Sequence, residues 1–228
     1  MDEIRLIEVK EDILSDNDAA ADELRERLKK ENTFMINLMA SPGAGKTSLL
    51  LRTIDALKND LKLAVIEADI DSMVDAEKIA TTGIQSIQLR TGGFCHLDVS
   101  MVKKGLEAID TEALDLVFIE NVGNLVCPAE FDTGATKDIM ILSVPEGDDK
   151  PLKYPLMFSK CHVLLVNKID YLSLSDFNMA HMEERVKKLN PGIEIFQVSC
   201  KTGEGIDRWA DWLKKAVTKK MNIKQMPL

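Results

Sequence analysis

The sequence predicts an α/β fold, a single domain on a mostly parallel seven-stranded sheet flanked by helices and preceded by an N-terminal helical segment. Three observations predict it. Short apolar runs alternate with helix-length stretches from Phe34 onward, the pattern of parallel strands covered on both faces. One of the runs, Phe34 to Met39, leads into a glycine-rich loop that opens a helical stretch. A length of 228 residues, with 45% hydrophobic and 29% charged side chains, suits one soluble domain with one core.

Taken in order, residues 1–32 carry apolar positions at helical spacing: Ile4, Ile7, Ile13, Leu14, Leu24 and Leu28. The cluster Ser15-Asp16-Asn17-Asp18 is expected to divide this segment into two helices or to cap the second one. Strands are expected at Phe34–Met39, Leu61–Ala68, Ile84–Leu89, Leu114–Glu120, Ile139–Val144, Val163–Asn167 and Ile193–Val198, with helices between most of them, inside a domain spanning 33–218. Residues 219–228 lack periodicity and are expected to form a loose tail. Ligands of such sheets sit beyond the carboxyl ends of the strands, and the informative motifs fall there.

The glycine-rich loop is Ala40-Ser41-Pro42-Gly43-Ala44-Gly45-Lys46-Thr47, followed by Ser48. Gly43, Ala44 and Gly45 turn backbone N–H groups toward phosphates, and the helix that follows adds its positive end. Lys46 is placed to reach the β- and γ-phosphates, and Thr47 to ligate Mg²⁺, which makes this a P-loop domain. The usual pattern opens with Gly where this chain has Ala40; the smallest side chain predicts a slightly tightened loop. Asn167-Lys168-Ile169-Asp170 names the base: a carboxylate at Asp170 accepts from the guanine N1–H and amino group, which adenine lacks. Ser199-Cys200-Lys201, at the end of a later strand, is expected to support the base. The ligand predicted is therefore GTP.

Glu120-Asn121-Val122-Gly123 ends a buried strand, so Glu120 is a candidate to hold Mg²⁺ and Gly123 to offer its N–H to the γ-phosphate. Asp69 ends another strand and is a candidate for Mg²⁺ or for orienting water, and Asp75 offers the same from the following helix. A helix cap at Asp71-Ser72 is the competing use of that acidic stretch. No arginine finger is recognisable in the loop, so intrinsic hydrolysis is expected to be slow.

Two cysteines stand out. Cys95 and His96 follow Thr91-Gly92-Gly93-Phe94, and Cys127 precedes Pro128 a few residues past Gly123. Both loops leave the carboxyl side of the sheet. Thiolate plus imidazole suits Ni²⁺ or Zn²⁺, but one chain supplies too few ligands to close a four-coordinate site, whereas two chains meeting there supply enough. Plain burial is the competing fate for either cysteine. Cys161 and His162 are assigned to the core, His181 to a helix surface, and Met101, Met157 and Met182 to core filling.

Together these motifs resemble the HypB-type nickel-incorporation GTPases of nickel–iron hydrogenase maturation, from about Phe34 to Trp212. The resemblance is carried by Ser41 to Thr47, Gly92 to Asp98, Glu120 to Pro128, Glu146 to Pro155, and Asn167 to Asp170; general GTPases lack the second and third of these. It implies a GTPase that forms a homodimer when GTP-bound, with Cys95, His96 and Cys127 of two subunits holding Ni²⁺ or Zn²⁺ at the interface. Asp75 looks like the family's acidic switch residue, and Lys153 like the lysine that reaches nucleotide in the partner subunit. A small zinc-binding accessory protein is the implied partner, and the hydrogenase large-subunit precursor the implied recipient. This chain has no cysteine before Cys95 and no His-rich stretch, so tight N-terminal nickel storage is not expected.

Other classes fit less well. A net charge of −9 opposes nucleic-acid binding. No apolar run approaches the roughly 18 residues that span a membrane. The acidic Met1-Asp2-Glu3-Ile4 lacks a leader core, and four scattered cysteines point to reduced thiols, hence a cytoplasmic expectation. An accessory GTPase for urease or a cobalamin-dependent mutase is the alternative within the class. A P-loop phosphotransferase would leave Asn167 to Asp170 without a role, and a redox module would be expected to carry Cys-x-x-Cys.

Overall fold

The computed structural model describes residues 9–70 and 74–222. Seven strands form one sheet: β1 (Phe34–Ala40), β2 (Leu63–Asp69), β3 (Gln85–Arg90), β4 (Leu116–Glu120), β5 (Lys137–Ser143), β6 (Val163–Asn167) and β7 (Glu194–Gln197). Their order is β3-β2-β4-β1-β5-β6-β7, and every neighbouring pair is parallel. All seven expected strands are present, and the sheet is parallel throughout.

The helices are α1 (Val9–Glu31), α2 (Lys46–Leu57), α3 (Val74–Ala80), α4 (Val99–Leu106), α5 (Cys127–Glu130), α6 (Lys150–Lys153), α7 (Pro155–Lys160), α8 (Met179–Leu189) and α9 (Ile206–Asn222). Side chains on successive strand positions face opposite layers. Along β1, Phe34, Ile36, Leu38 and Ala40 pack with α2 and α9, where Leu50, Ile54, Trp209 and Leu213 are buried. Met35 joins α1 and α4 on the other face through Leu24, Leu28 and Val102, and Met39 joins α7 and α8 through Met157 and Met182. The buried Trp209 indole donates to Thr53 Oγ1 at 3.0 Å, which satisfies its N–H inside that layer.

Three expectations need correction. The Ser15–Asp18 cluster neither breaks nor caps a helix: α1 runs through it, and Asn17 is turned inward to bond with two distant loops. Lys219 to Asn222 are helical, because the apolar spacing Trp209, Leu213, Val217 carries α9 past the expected boundary. His162 is not core: its side chain is 41% exposed, and its Nδ1 accepts from the Asp138 N–H at 3.1 Å. Its neighbour Cys161 is buried as expected, and so are Met157 and Met182, while Met101 is half-buried and His181 exposed. Ile4, Ile7, Asp71, Ser72 and residues 223–228 lie outside the described residues.

Candidate nucleotide and metal site

The phosphate loop joins β1 to α2 at the centre of the sheet. Gly43 and Gly45 have φ of 75° and 103°, left-handed values that tolerate glycine best. A Cβ at Gly45 would also collide with the Asn167 amide. Ala40 ends β1 and is fully buried. Facing the loop, Asn167 donates its Nδ2 to Ala44 O at 3.0 Å, and Lys168, itself at φ 61°, donates Nζ to Gly43 O at 2.7 Å. Asn167 Oδ1 accepts from the Lys168 and Cys200 amides at 2.8 and 3.3 Å. Ser199 Oγ donates to Asp170 Oδ1 at 2.6 Å. Asp170 lines a pocket of about 280 Å³ together with Gly45, Ser48, Lys168, Tyr171, Cys200 and Lys201. The residues expected to read the base are thus brought together, and Ser199 fixes the Asp170 carboxylate.

Beside the loop, Thr47 Oγ1 donates to Glu120 Oε1 at 2.8 Å. Glu120 lies in register opposite Glu67 of β2, and both carboxylates are buried. Glu67, Asp75 and Glu120 present oxygens within 4.8 Å of one another. Burial, followed by the charge of Glu120, pushes Glu67 up to about 10. Burial also raises Glu120, against the Thr47 hydroxyl and the nearby Lys46 charge. One oxygen of each glutamate, Glu67 Oε2 and Glu120 Oε2, has no hydrogen-bond partner. Buried hard oxygen donors without partners next to a phosphate loop fit a divalent cation, so the residues present suit Mg²⁺. Asp69 is not one of the converging carboxylates; Glu67, two residues earlier, takes that place. Glu67 went unread in the sequence, although an acidic residue inside the apolar run Leu63 to Ala68 was the available signal. Gly123 packs against Pro42, where a Cβ would come within 3.0–3.2 Å.

The thiol and imidazole candidates converge on the same side of the sheet. Cys95 and His96 follow the Gly92–Gly93 turn after β3, while Cys127 opens α5 after β4. Cys95 Sγ lies 3.1 Å from Cys127 Sγ and 4.0 Å from His96 Nδ1. All three are half-buried. His96 stacks on Phe131 with centroids 4.0 Å apart, and burial lowers its pKa, which favours the neutral, ligating imidazole. The hydrogen bond with Cys95, then burial, raises the Cys127 thiol. Cys200, pushed up to about 11 by burial, stands apart beside the base.

Residues 34–197 match the CobW/HypB/UreG nucleotide-binding domain. The hydrogenase maturation factor HypB of Rhizobium leguminosarum bv. viciae is 44% identical over 220 residues, covering 96% of this chain and 74% of that one. This chain belongs to the HypB family. A crystal structure of HypB from Helicobacter pylori in complex with nickel superposes with a TM-score of 0.85 at 36% identity, over 90% of this chain and 96% of that one. The hydrogenase/urease maturation factor HypB of Helicobacter hepaticus is 40% identical, covering 92% of this chain and 87% of that one. Lys153, which the HypB resemblance assigns to a partner's nucleotide, does not line the base pocket of its own chain. It pairs with Asp149 at 2.6 Å and is 58% exposed. Among the described residues no helix is long and apolar enough to cross a membrane.

Proposed function

We propose that this chain is a nickel-insertion GTPase of [NiFe]-hydrogenase maturation that hydrolyses GTP and couples its nucleotide state to metal held by Cys95, His96 and Cys127. The observation that carries the reading is the convergence of these three ligands within 4.8 Å on loops next to the phosphate loop. Asn121, which follows Glu120, is fully buried. Its Oδ1 accepts from the Leu97 amide at 3.2 Å, one residue past His96, and its Nδ2 donates to Asn37 Oδ1 of β1 at 3.0 Å. A shift at the γ-phosphate end of β4 therefore has a bonded route to the metal loop.

Thr47 and Glu120, with Glu67 and Asp75 beside them, would hold Mg²⁺, which would neutralise charge at the β- and γ-phosphates. Lys46 adds positive charge there, and Asp170 selects guanine. Three ligands do not complete a four-coordinate site, so two copies meeting at these loops would share Ni²⁺ or Zn²⁺. The exposed Phe94 and Val126 beside the ligands, 56% and 51% accessible, suit a face covered in that assembly. Lys153 would then be free to cross to the partner's nucleotide. The cargo's recipient is a hydrogenase large-subunit precursor, with a small zinc-binding accessory protein as partner, in a cytoplasmic setting.

Nickel titration with solution mass measurement on GTP-analogue and GDP forms tests the coupling; equal nickel affinity in both states sinks it. A urease recipient is the second reading, favoured by the dual designation of the Helicobacter hepaticus relative. Pull-down against hydrogenase and urease precursors separates the two.

A further inference from the structure

We infer that Asn17, on the N-terminal helix, is a positioning residue that clamps the two thiol-bearing loops into one metal site. The inference rests on the Cys95–His96–Cys127 reading and adds to it the part of the chain outside the nucleotide domain. Asn17 is only 8% exposed, unusual for a neutral polar residue in the middle of a helix. Its Nδ2 donates to the Asp132 carbonyl at 2.9 Å, and its Oδ1 accepts from the Val99 amide at 3.1 Å. Val99 lies three residues past His96 and opens α4. Asp132 lies five residues past Cys127 and directly follows Phe131, the ring on which His96 stacks. One amide thus ties the exit of the Cys95–His96 loop to the exit of the Cys127 segment.

The rest of α1 supports the same clamp. Arg25 Nη2 pairs with the Asp132 carboxylate at 2.6 Å, and its Nε donates to Ala135 O at 3.1 Å. Asp132 Oδ1 in turn accepts from the Gly134 amide at 2.8 Å. Gly134, at φ 76°, lies so close to α1 that a Cβ there would press on Leu24. Two loops drawn from different strands hold their thiols at bonding range only while their exits stay fixed. A side chain satisfied by both exits at once does this with two bonds, and its removal strands a buried amide and a part-buried carbonyl. Partners that orient metal ligands typically matter about 10–100-fold in affinity.

The test uses the full chain and Ni²⁺ itself. Isothermal titration and the thiolate-to-nickel charge-transfer band are recorded for wild type, Asn17→Ala, Asn17→Asp, Cys95→Ala and Arg27→Ala, with GDP affinity measured on each. A metal-free readout is capture of phenylarsine oxide, which requires two thiols held close. Asn17→Asp keeps the acceptor for Val99 and loses the donor to Asp132, so it carries the test if Asn17→Ala fails to fold. Expected is a nickel affinity at least about tenfold weaker in the Asn17 variants, with an altered charge-transfer band, slower arsenical capture and unchanged GDP affinity. Arg27→Ala, which removes a bond to Glu31 at the far end of α1, should match wild type. Wild-type nickel and arsenical behaviour in the Asn17 variants, with Cys95→Ala still abolishing binding, overturns the clamp alone. A parallel loss of GDP affinity, or the same loss in Arg27→Ala, overturns it as general destabilisation. If wild type and Cys95→Ala bind nickel alike, the metal reading itself fails.

Discussion

The base-reading corner and the metal corner of this molecule are built on opposite principles. At the expected base site, the protein has satisfied its own groups: Asn167 bridges the phosphate loop and the Cys200 amide, and Ser199 holds one oxygen of Asp170. At the metal corner and the adjoining magnesium pocket, groups are brought together and left wanting. Two thiols face each other at 3.1 Å, an imidazole stands beside them, and two buried glutamates keep oxygens without partners. Under the proposed function the first corner reads the base, and the second would be completed from outside, by a cation in one pocket and by a cation with a second copy in the other.

The largest expected effect breaks the rigid corner. Asp170→Asn replaces an acceptor by a donor at the guanine edge, and the stranded amide then favours xanthine, which offers a carbonyl there. Competition binding should show the preference for GTP over xanthosine triphosphate collapsing by about 10⁴-fold. Nickel binding to the GDP-free protein should be unaffected, and a coupled loss would erase the division between the corners.

Cys127→Ala strikes the unfinished corner. Nickel affinity should fall by more than about 100-fold, beyond what outer partners contribute, while GDP affinity holds. The pH dependence is a milder probe of the same place. The Cys127 thiol is raised by Cys95 and by burial, so it is protonated at neutral pH, and binding metal must release that proton. Nickel affinity should therefore fall steadily from pH 8 to pH 6, by about tenfold per pH unit for each thiol proton displaced. A flat profile between pH 6 and 8 would remove thiolates from the ligand set.

Smallest is the effect of Glu67→Gln on the magnesium-free protein. Glu67, raised to about 10, holds a proton in the folded state that the unfolded chain releases near 4.5. The folded state thus binds more protons between these values, and stability falls as pH rises through that window. Glutamine removes the penalty, so Tm at pH 8 without Mg²⁺ should rise, at about 2–4 °C per kcal/mol for a chain of this size. The same variant should bind Mg²⁺–GTP more weakly. Equal Tm shifts at pH 5 and pH 8 would contradict the assigned ionisation.

What the sequence made legible follows the same division. Strands were readable because parallel strands buried on both faces are largely apolar, as in Val163 to Val166, and the residues expected to read the base because one local segment carries most of them. The ligand trio was readable as candidates, but their meeting depends on β3 and β4 lying on either side of β2, which the local sequence does not encode. Glu67 was hidden by Asp69, the more conspicuous acid at the strand end, since only the β2–β4 register sets Glu67 against Glu120. Asn17 was read as a local breaker, because polar residues in a helix usually bond nearby, whereas its partners lie 82 and 115 residues away. His162 follows a buried cysteine yet sits at a strand entrance open to solvent.

In the proposed function, nucleotide state and metal binding are linked through an incomplete ligand set. The most direct test of this link is Ni²⁺ titration with solution mass measurement on wild type and Cys95→Ala, each loaded with a non-hydrolysable GTP analogue or GDP. Expected are nickel-bearing dimers of the wild type with the analogue, weaker nickel binding and monomers with GDP, and neither nickel nor dimers in the variant. Nickel affinity and mass that ignore both the nucleotide and Cys95 would contradict it.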